Sequence, residues 1–512
     1  MKIIDIDINS EYLKDSSLLT GFADKLYLCE STSDCEELVS MSLTNKTHLT
    51  IQGGLTGLCG GAVPRGGIIA NLSSMSSILG MRSEKDEFIL ICEAGVTLET
   101  INNFLSTKRI NTALWSEESK SVYKSFVNED SMFTNDPTET EATLGGMVSC
   151  EASGANSFKY GSIREYVEGL TVVTGRKTLH IKRGEYKYSD LSSLLGDSNE
   201  LPVFEKNQDI KDVSGIFYKE DMDLIDLFIG SEGIFGVITE IEIRLIKKPT
   251  TVMGLQLFIK DNSKLTELID WLRGGTITDS ECITAIEYFD EESLKVLESY
   301  KSISTKLKKI GDIPNDAVGS IYLEFHFHSA DIEDLLNEVV VNMSKYGVSD
   351  QNQWVALDDE DYQKLKDFRH ALPEAINNKI SLNQLQSKEI HKVGTDMAVR
   401  DEHLSKVLDM YRDDLKLHKL EGVIFGHIGD NHLHVNIIPS NKQEYDLGLQ
   451  VVSKWGEEVI KMGGTISAEH GVGKIKKHLF AKISSDNDII SIMRLKNILD
   501  PVGIFNVGTI ID

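Results

Sequence analysis

Gln52-Gly53-Gly54-Leu55-Thr56-Gly57-Leu58-Cys59-Gly60-Gly61 places five glycines within nine residues. Glycine adopts positive φ without strain and carries no Cβ, so such a run brings backbone N–H groups close to a phosphate-bearing ligand. It is not a P-loop, because no Lys-Ser/Thr follows, and it lacks the Gly-x-Gly-x-x-Gly dinucleotide fingerprint and its acidic partner. A turn-rich β-hairpin is the plainer alternative. Around the loop, short apolar runs at His48–Ile51, Gly67–Leu72 and Phe88–Gly95 read as strands between tight turns. Val96–Lys108 reads as a helix, and residues 1 to about 45 read as mostly helical. A second glycine-rich stretch, Thr143–Val148, precedes strands at 167–174 and 236–246, so the first 250 residues form a mixed α+β unit.

Pro249 marks a boundary. Beyond it the pattern predicts strand 252–259, helix 262–273, strand 283–289, a helix, strand 318–328 and helix 331–346. That order is an α+β domain with an antiparallel sheet. Residues 359–380 are helical, and strands 421–426 and 433–438 bracket a histidine cluster. A last helix, Ile489 to Leu499, stops at Asp500-Pro501.

The cluster is Gly426-His427-Ile428-Gly429-Asp430-Asn431-His432-Leu433-His434-Val435-Asn436, followed later by Ala468-Glu469-His470-Gly471. Eleven of the thirteen histidines fall after residue 325. His432, His434 and Asn436 are spaced two apart and share one strand face. Imidazoles with a carboxylate are the donor set a divalent transition metal prefers; solvated or hydrogen-bonded histidines are the bland alternative. Glu469 and His470 point differently, so one suits metal binding and the other acid–base work. His326 and His328 also alternate on a strand face, without a supporting motif, and read as structural.

At 512 residues the chain is too long for one core, and 41% hydrophobic content is ordinary. A net charge of −27 argues against nucleic acid and anionic membranes. An anionic substrate then needs a local cationic pocket. Cysteines at 29, 35, 59, 92, 150 and 282 form no Cys-x-x-Cys pair, against disulfide frameworks and iron–sulfur ligation. Acids interrupt the N-terminal apolar residues, and no run of about 18 apolar residues exists. A reducing cytosol is the simplest compartment, and if the chain does redox chemistry its electrons are expected to pass to a separate partner or to oxygen.

The run Gly53–Pro64 resembles the first flavin-binding loop of the vanillyl-alcohol oxidase type FAD-binding fold. Asp136-Pro137-Thr138, Leu144–Val148, Ala152-Ser153-Gly154, Tyr160-Gly161, Arg164 and Val167–Leu170 resemble its second cofactor-contacting segment. Ile229–Thr239 resembles the third, and Leu499–Asn506 the closing segment that returns to the flavin domain. The resemblance implies a two-subdomain FAD-binding domain at 1–248 with its core at about 45–248. It further implies an α+β substrate (cap) domain at 249–455, and a segment at 456–512 that completes both. Cofactor contacts are implied for Gly53, Gly54, Leu55, Thr56, Gly57, Leu58, Gly60, Asp136, Pro137, Thr138, Gly145, Gly146, Ser153, Gly154, Tyr160, Gly161, Glu232, Gly236, Ile238 and Asn506. Cys59 and Cys150 sit in no attachment pattern, so FAD is expected to be noncovalent. Where the family often reads Asn-Pro-Gly, this chain has Asn506-Val507-Gly508.

Residues 426–434 and 468–471 resemble the subfamily of D-lactate dehydrogenases, D-2-hydroxyglutarate dehydrogenases and the glycolate oxidase catalytic subunit. Its pattern is Gly-His-x-Gly-Asp-Gly-Asn-x-His, then Ala-Glu-His-Gly. By resemblance, His427, His434 and Glu469 hold a divalent metal (zinc first, manganese or iron otherwise) and His470 is the general base. This chain has Asn431-His432 where many members have Gly-Asn, so His432 is a further candidate, as ligand or outer group. Arg369 and Lys392 resemble the family's substrate anchors, and Asn436 joins them; an ordinary surface ion pair is the alternative for either cation alone. The implied reaction oxidises a D-2-hydroxy acid to the 2-oxo acid with hydride transfer to flavin N5. The electron acceptor is then an electron-transfer flavoprotein, a cytochrome or a quinone-linked protein, and a homodimer is left open. Rival readings are an oxygen-using FAD oxidase, a non-catalytic FAD electron-relay subunit and a flavin-free zinc hydrolase.

Overall fold

Alternation in Val237–Lys247 sets the centre of the first half. Val237, Thr239, Ile241, Ile243 and Leu245 are buried, while Glu240, Glu242 and Arg244 lie between them on the other face. The charges there are paired: Arg244 lies 3.0 Å from Glu168 and 3.2 Å from Glu87, and Arg82 lies 2.7 Å from Glu242. This strand is the middle of an antiparallel sheet in the order Ile78–Glu84, Glu87–Glu93, Val237–Lys247, Val167–Val173, Thr178–Lys182, with Ser131–Met132 paired to its far end. The computed structural model describes residues 1–7, 10–197, 200–204, 210–274, 282–327, 339, 341–349 and 353–512.

A second, four-stranded sheet runs Lys2–Asp5, Lys25–Leu28, Ile68–Asn71, Leu49–Gln52, the last three parallel. The mostly helical expectation for residues 1 to 45 is therefore corrected. Only Thr32–Asn45 is an α-helix, and Lys2–Asp5 pairs antiparallel with Lys25–Leu28. Mixed charged and apolar residues in a short segment do not separate period 2 from period 3.6, and strand pairing decided the matter. The glycine-rich loop leaves the carboxyl end of Leu49–Gln52, where open α/β sheets place their ligands.

The other half is an eight-stranded antiparallel sheet. Its order is Trp354–Ala356, Thr251–Ile259, Gly319–Phe327, Ile283–Asp290, Gly422–Gly426, His432–Ile437, Val393–Gly394, with Met397–Ala398 also on His432–Ile437. One face is apolar: Ile321, Leu323, Phe325, Leu433, Val435 and Ile437 pack under Leu268, Tyr411 and Trp455 from three helices. The other face is apolar only at one end, under Leu365, Phe368 and Leu372 of helix Asp359–Gln384. Its remaining residues, Tyr322, Glu324, His326, Glu287, His432, His434 and Asn436, form a polar floor. The predicted strands and helices of this half are found, apart from helix 331–346 and His328, which fall largely or wholly outside the described residues.

Asp500 ends the last helix and ties the chain end back. Its buried carboxylate accepts from the N–H groups of Gly503, Ile504 and Phe505 and from Lys496 Nζ. Phe505 then bridges in parallel to Leu49, and Asn506 Oδ1 accepts from Ile51 N at 2.8 Å. The returning segment thus joins the sheet that launches the glycine-rich loop. Arg164 fastens the next two segments: its guanidinium grips Glu151, the carbonyls of Asp226 and Ile229, and the Asp226 carboxylate. Because Glu151 would lose its buried cationic partner, while Asp226 keeps Arg183 at 3.1 Å, Arg164→Ala is expected to lower unfolding free energy by about 3–5 kcal/mol. Urea denaturation followed by far-UV circular dichroism measures this, and a loss below about 1 kcal/mol, the worth of an exposed pair, would contradict the assignment.

Candidate active site

Strand Gly422–Gly426 stops at Gly426 with φ 112°. One tight turn over Ile428–Asp430 follows, and Asn431 at φ 52° starts the return. Asparagine is among the few side chains that sit readily in that left-handed region. Arg273 braces the turn through the carbonyls of Gly429 and Ile428 and through Asn431 Oδ1. The result sets His427, His432 and His434 together, with ring centroids 4.5–5.6 Å apart.

Glu469 meets these rings. Its Oε1 lies 3.2 Å from His427 Nε2 and 3.8 Å from His432 Nδ1, and its Oε2 lies 3.9 Å from His434 Nε2. One donor atom from each of the four residues lies within 4.8 Å of the others. Three nitrogens and a carboxylate oxygen, all sheltered, suit a divalent transition metal. His427 Nδ1 is backed by Glu287 Oε1 at 2.6 Å. Burial alone would lower His427, but Glu287 and Glu469 outweigh it and raise it to about 10. Burial, with His432 beside it, pushes His434 well below the ordinary imidazole range. Burial would raise Glu469, yet His427 and Lys211 hold it well below the carboxylate range. Lys211 Nζ also bonds Glu469 Oε1 and, at 2.9 Å, Ser157 Oγ.

His470 stands beside the cluster, its ring stacked on His434 at 5.7 Å. Asp396 anchors it: Oδ2 accepts from His470 N at 3.0 Å and lies 3.3 Å from His470 Nδ1, leaving Nε2 unengaged by that carboxylate. Ser467 Oγ and Lys476 Nζ bond the same oxygen. Burial would raise Asp396, but Lys476 and His470 hold it well below the carboxylate range.

Arg369 lies beside Glu287 and Asp136, and Lys392 stands at the outer edge of the sheet. Arg369 is buried over the Tyr322 ring at 5.9 Å and lies 2.9 Å from His370 Nε2. Burial opposes its charge, but Glu287 and Asp136 hold it fully ionised. Pro373, four residues on in the same helix, cannot donate to the Arg369 carbonyl. Lys392 precedes strand Val393–Gly394, outboard of Asn436, and desolvation lowers its ammonium. Beyond Arg369 runs a buried chain that sequence reasoning did not join: Tyr160 OH to His326 Nδ1 at 2.8 Å, His326 Nε2 to Glu324 at 3.0 Å, and Tyr322 OH to Glu324 at 2.7 Å.

The flavin-side candidates fall on three packed loops. A Cβ at Gly53 would lie 2.1 Å from Thr143 Oγ1, and one at Gly54 would lie 2.6 Å from the Glu141 carbonyl. The first loop therefore lies tightly on the segment that leads to Gly145 and Gly146. Among the described residues, no N–H from Gly53 to Leu58 donates to a backbone carbonyl. Open donors in a loop without side-chain cover fit an anionic diphosphate such as that of FAD. Gly54, Gly57 and Leu58 are exposed, Leu55 and Thr56 half-buried, and Gly60 buried. Asp136 receives Asn156 and presses on Gly154, with Pro137 half-buried and Thr138 exposed beside it. Ser153 Oγ donates to Glu469 Oε1 at 3.0 Å, and Gly161 caps the short helix holding Tyr160. Gly236 lies against the Val173 carbonyl, and Ile238 is in the six-stranded sheet. The Glu232 carboxylate is committed to Val472 N and Gly473 N, while its carbonyl receives Asn506 Nδ2.

Residues 23–115 match the FAD binding domain family, and residues 275–510 match the FAD linked oxidases, C-terminal domain. The chain carries both domains of an FAD-linked oxidoreductase, and over nearly its whole length it is similar to D-lactate dehydrogenases, D-2-hydroxyglutarate dehydrogenases and a glycolate oxidase subunit. Its similar relatives include D-2-hydroxyglutarate dehydrogenase of Stutzerimonas stutzeri, 26% identical over 94% of this chain and 89% of the relative. D-lactate dehydrogenase of Anaerostipes hadrus is 25% identical over 99% and 94%. The glycolate oxidase subunit GlcD of Bacillus subtilis is 24% identical over 95% and 88%. A solved structure of alkyldihydroxyacetonephosphate synthase superposes with a TM-score of 0.63 over 95% of this chain and 76% of that one, at 16% identity. That likeness shows the fold, and the expected fold class holds.

Four residues of the site carried no separate role in the sequence reading: Asp396, Glu287, Lys211 and Glu324. Asp396 stands four after Lys392 on the same strand face, a usable signal; Lys211 carries none. Glu324 yields a pH test. Burial would raise it, but His326, Tyr322 and Arg369 hold it at about 2, against an ordinary 4.5. Its stabilisation is therefore complete above 4.5 and is lost as pH falls toward 2. Glu324→Gln is expected to flatten the fall in urea midpoint between pH 5.5 and 3.0, and parallel curves for the two proteins would refute the network's contribution.

Proposed function

We propose that this enzyme oxidises a D-2-hydroxy acid of the lactate, glycolate or 2-hydroxyglutarate class to its 2-oxo acid, as a dehydrogenase with a separate electron acceptor. The observation that carries the reading is the meeting of His427, His434 and Glu469 beside His470, whose Nδ1 faces Asp396. The relatives act on substrates of this class by name. We divide the chain into a flavin domain at 1–248, a cap at 249–455 and a closing segment at 456–512, in a cytoplasmic protein. Among the described residues no helix is long and apolar enough to cross a membrane.

His427, His434 and Glu469 would hold the metal, zinc before manganese or iron, which supplies Lewis acidity toward the substrate hydroxyl. The loops of Gly53–Gly60, Asp136–Gly154 and Glu232–Ile238 would hold noncovalent FAD, which supplies the two-electron acceptor. Arg369 and Lys392 receive the substrate's anionic groups, and Asn436, on the same strand face as His434, orients it. His470 takes the hydroxyl proton at Nε2, since Asp396 fixes the other ring nitrogen.

An anaerobic visible spectrum titrated with D- and L-2-hydroxy acids tests this. Bleaching by one D-acid, lost on chelation, is expected; a flavin band that no hydroxy acid bleaches would overturn the substrate class. His470→Ala should retain FAD and slow bleaching by about 10²–10⁴-fold, the usual worth of a general base. Wild-type bleaching rates in that variant would remove His470 from the role.

A further inference from the structure

We propose that His432 is a fourth protein ligand of the metal centre, at the position where the family pattern has asparagine. This rests on the metal reading above and concerns a residue in which the chain departs from that pattern.

All three imidazoles set one nitrogen beside an oxygen and turn the other toward Glu469, although only His427 and His434 make a hydrogen bond to that oxygen. His427 sets Nδ1 on Glu287 Oε1 at 2.6 Å, His434 sets Nδ1 3.3 Å from the Thr395 carbonyl, and His432 sets Nε2 2.9 Å from Asp396 Oδ1. In each case the other nitrogen faces Glu469, at 3.2, 3.9 and 3.8 Å respectively. An acceptor behind one nitrogen and a free lone pair on the other is the arrangement of metal-binding histidines.

A merely structural role accounts poorly for His432. The side chain is fully buried, and its Nδ1 has no hydrogen-bond partner. The approach of Nε2 to Asp396 is short but off the axis of a good hydrogen bond, so those two atoms are unsatisfied as well. A buried nitrogen without a partner is destabilising, and a core position with no ligand to bind would favour an apolar residue.

The neighbouring substitution keeps the aim. Asn431 holds φ 52° where the pattern has glycine, and Arg273 and Asp401 bind its amide. The turn keeps its length, so strand His432–Ile437 keeps its register; a one-residue slip would turn His432 to the apolar face. Asp396 adds a consequence: one carboxylate backs His432 through Oδ1 and His470 through Oδ2. The metal and the base then share an anchor. Three imidazole nitrogens with one carboxylate favour zinc, cobalt, nickel or iron over magnesium or calcium.

The test loads cobalt(II) into the full-length flavoprotein and into His432→Asn, which restores the family residue. It records the cobalt ligand-field bands and the dissociation constant by chelator competition. The variant is expected to keep its flavin spectrum, shift the cobalt bands and bind cobalt about 10–100-fold more weakly, at least the effect of losing an outer partner. Unchanged bands and affinity would overturn the proposal while leaving the three-residue metal reading intact. Should the variant not fold, zinc X-ray absorption on the wild-type protein counts imidazoles: three support His432 and two refute it. Failure of the wild-type protein to take up any metal would overturn the metal reading itself.

Discussion

The docking of Ala468–Lys476 onto the flavin domain is the constraint on which the site depends. This short segment carries Glu469 and His470, and contacts from both halves of the molecule pin it. The Glu232 carboxylate takes Val472 N at 2.7 Å and Gly473 N at 2.8 Å, and Asp396 takes His470 N at 3.0 Å. Gly473 has φ 54°, and a Cβ there would lie 2.0 Å from the Cys59 carbonyl. Only glycine allows this approach to the glycine-rich loop. Lys474 then crosses to the carbonyls of Gly60 and Gly61 and to Thr509. Hydrogen bonds involving a charged partner contribute about 1.5–3 kcal/mol each, so the segment is well determined where it meets the histidines.

The electrostatics follow from that placement. A protein of net charge −27 would repel an organic anion. The site answers locally with Arg369 beside Glu287, Lys211 on Glu469 and Lys476 on Asp396. The buried acids Glu287, Asp396 and Glu469 are not free negative charge. His427 opposes the first, Lys476 and His470 the second, and His427 with Lys211 the third. A neutralised carboxylate keeps its value as hydrogen-bond acceptor or ligand.

Much of the architecture was readable from pattern. Strands Thr251–Ile259, Ile283–Asp290 and Gly319–Phe327 stand near their expected places because each is a continuous buried run of strand length bounded by turn residues. Helix Asp486–Leu499 ends at Asp500-Pro501 as its stop signal requires. The first thirty residues misread because an edge strand of four residues leaves too little periodicity. Arg164 lay inside a recognised motif, but its four-way grip on Glu151, Asp226 and Ile229 depends on chain crossings that no local pattern records.

By itself the sequence determined which residue types were available for chemistry: glycines for a close-approach loop, three clustered histidines, and an adjacent Glu469-His470. It also set their phase on a strand, because period 2 puts His432, His434 and Asn436 on one side whatever the fold around them. Only the tertiary structure decided what lies opposite. Glu287 behind His427, Asp396 between His432 and His470, and Lys211 on Glu469 are separated from their partners by 36 to 258 residues. Nothing local couples positions so far apart; the antiparallel pairing of the eight-stranded sheet and the docked Ala468–Lys476 segment bring them together.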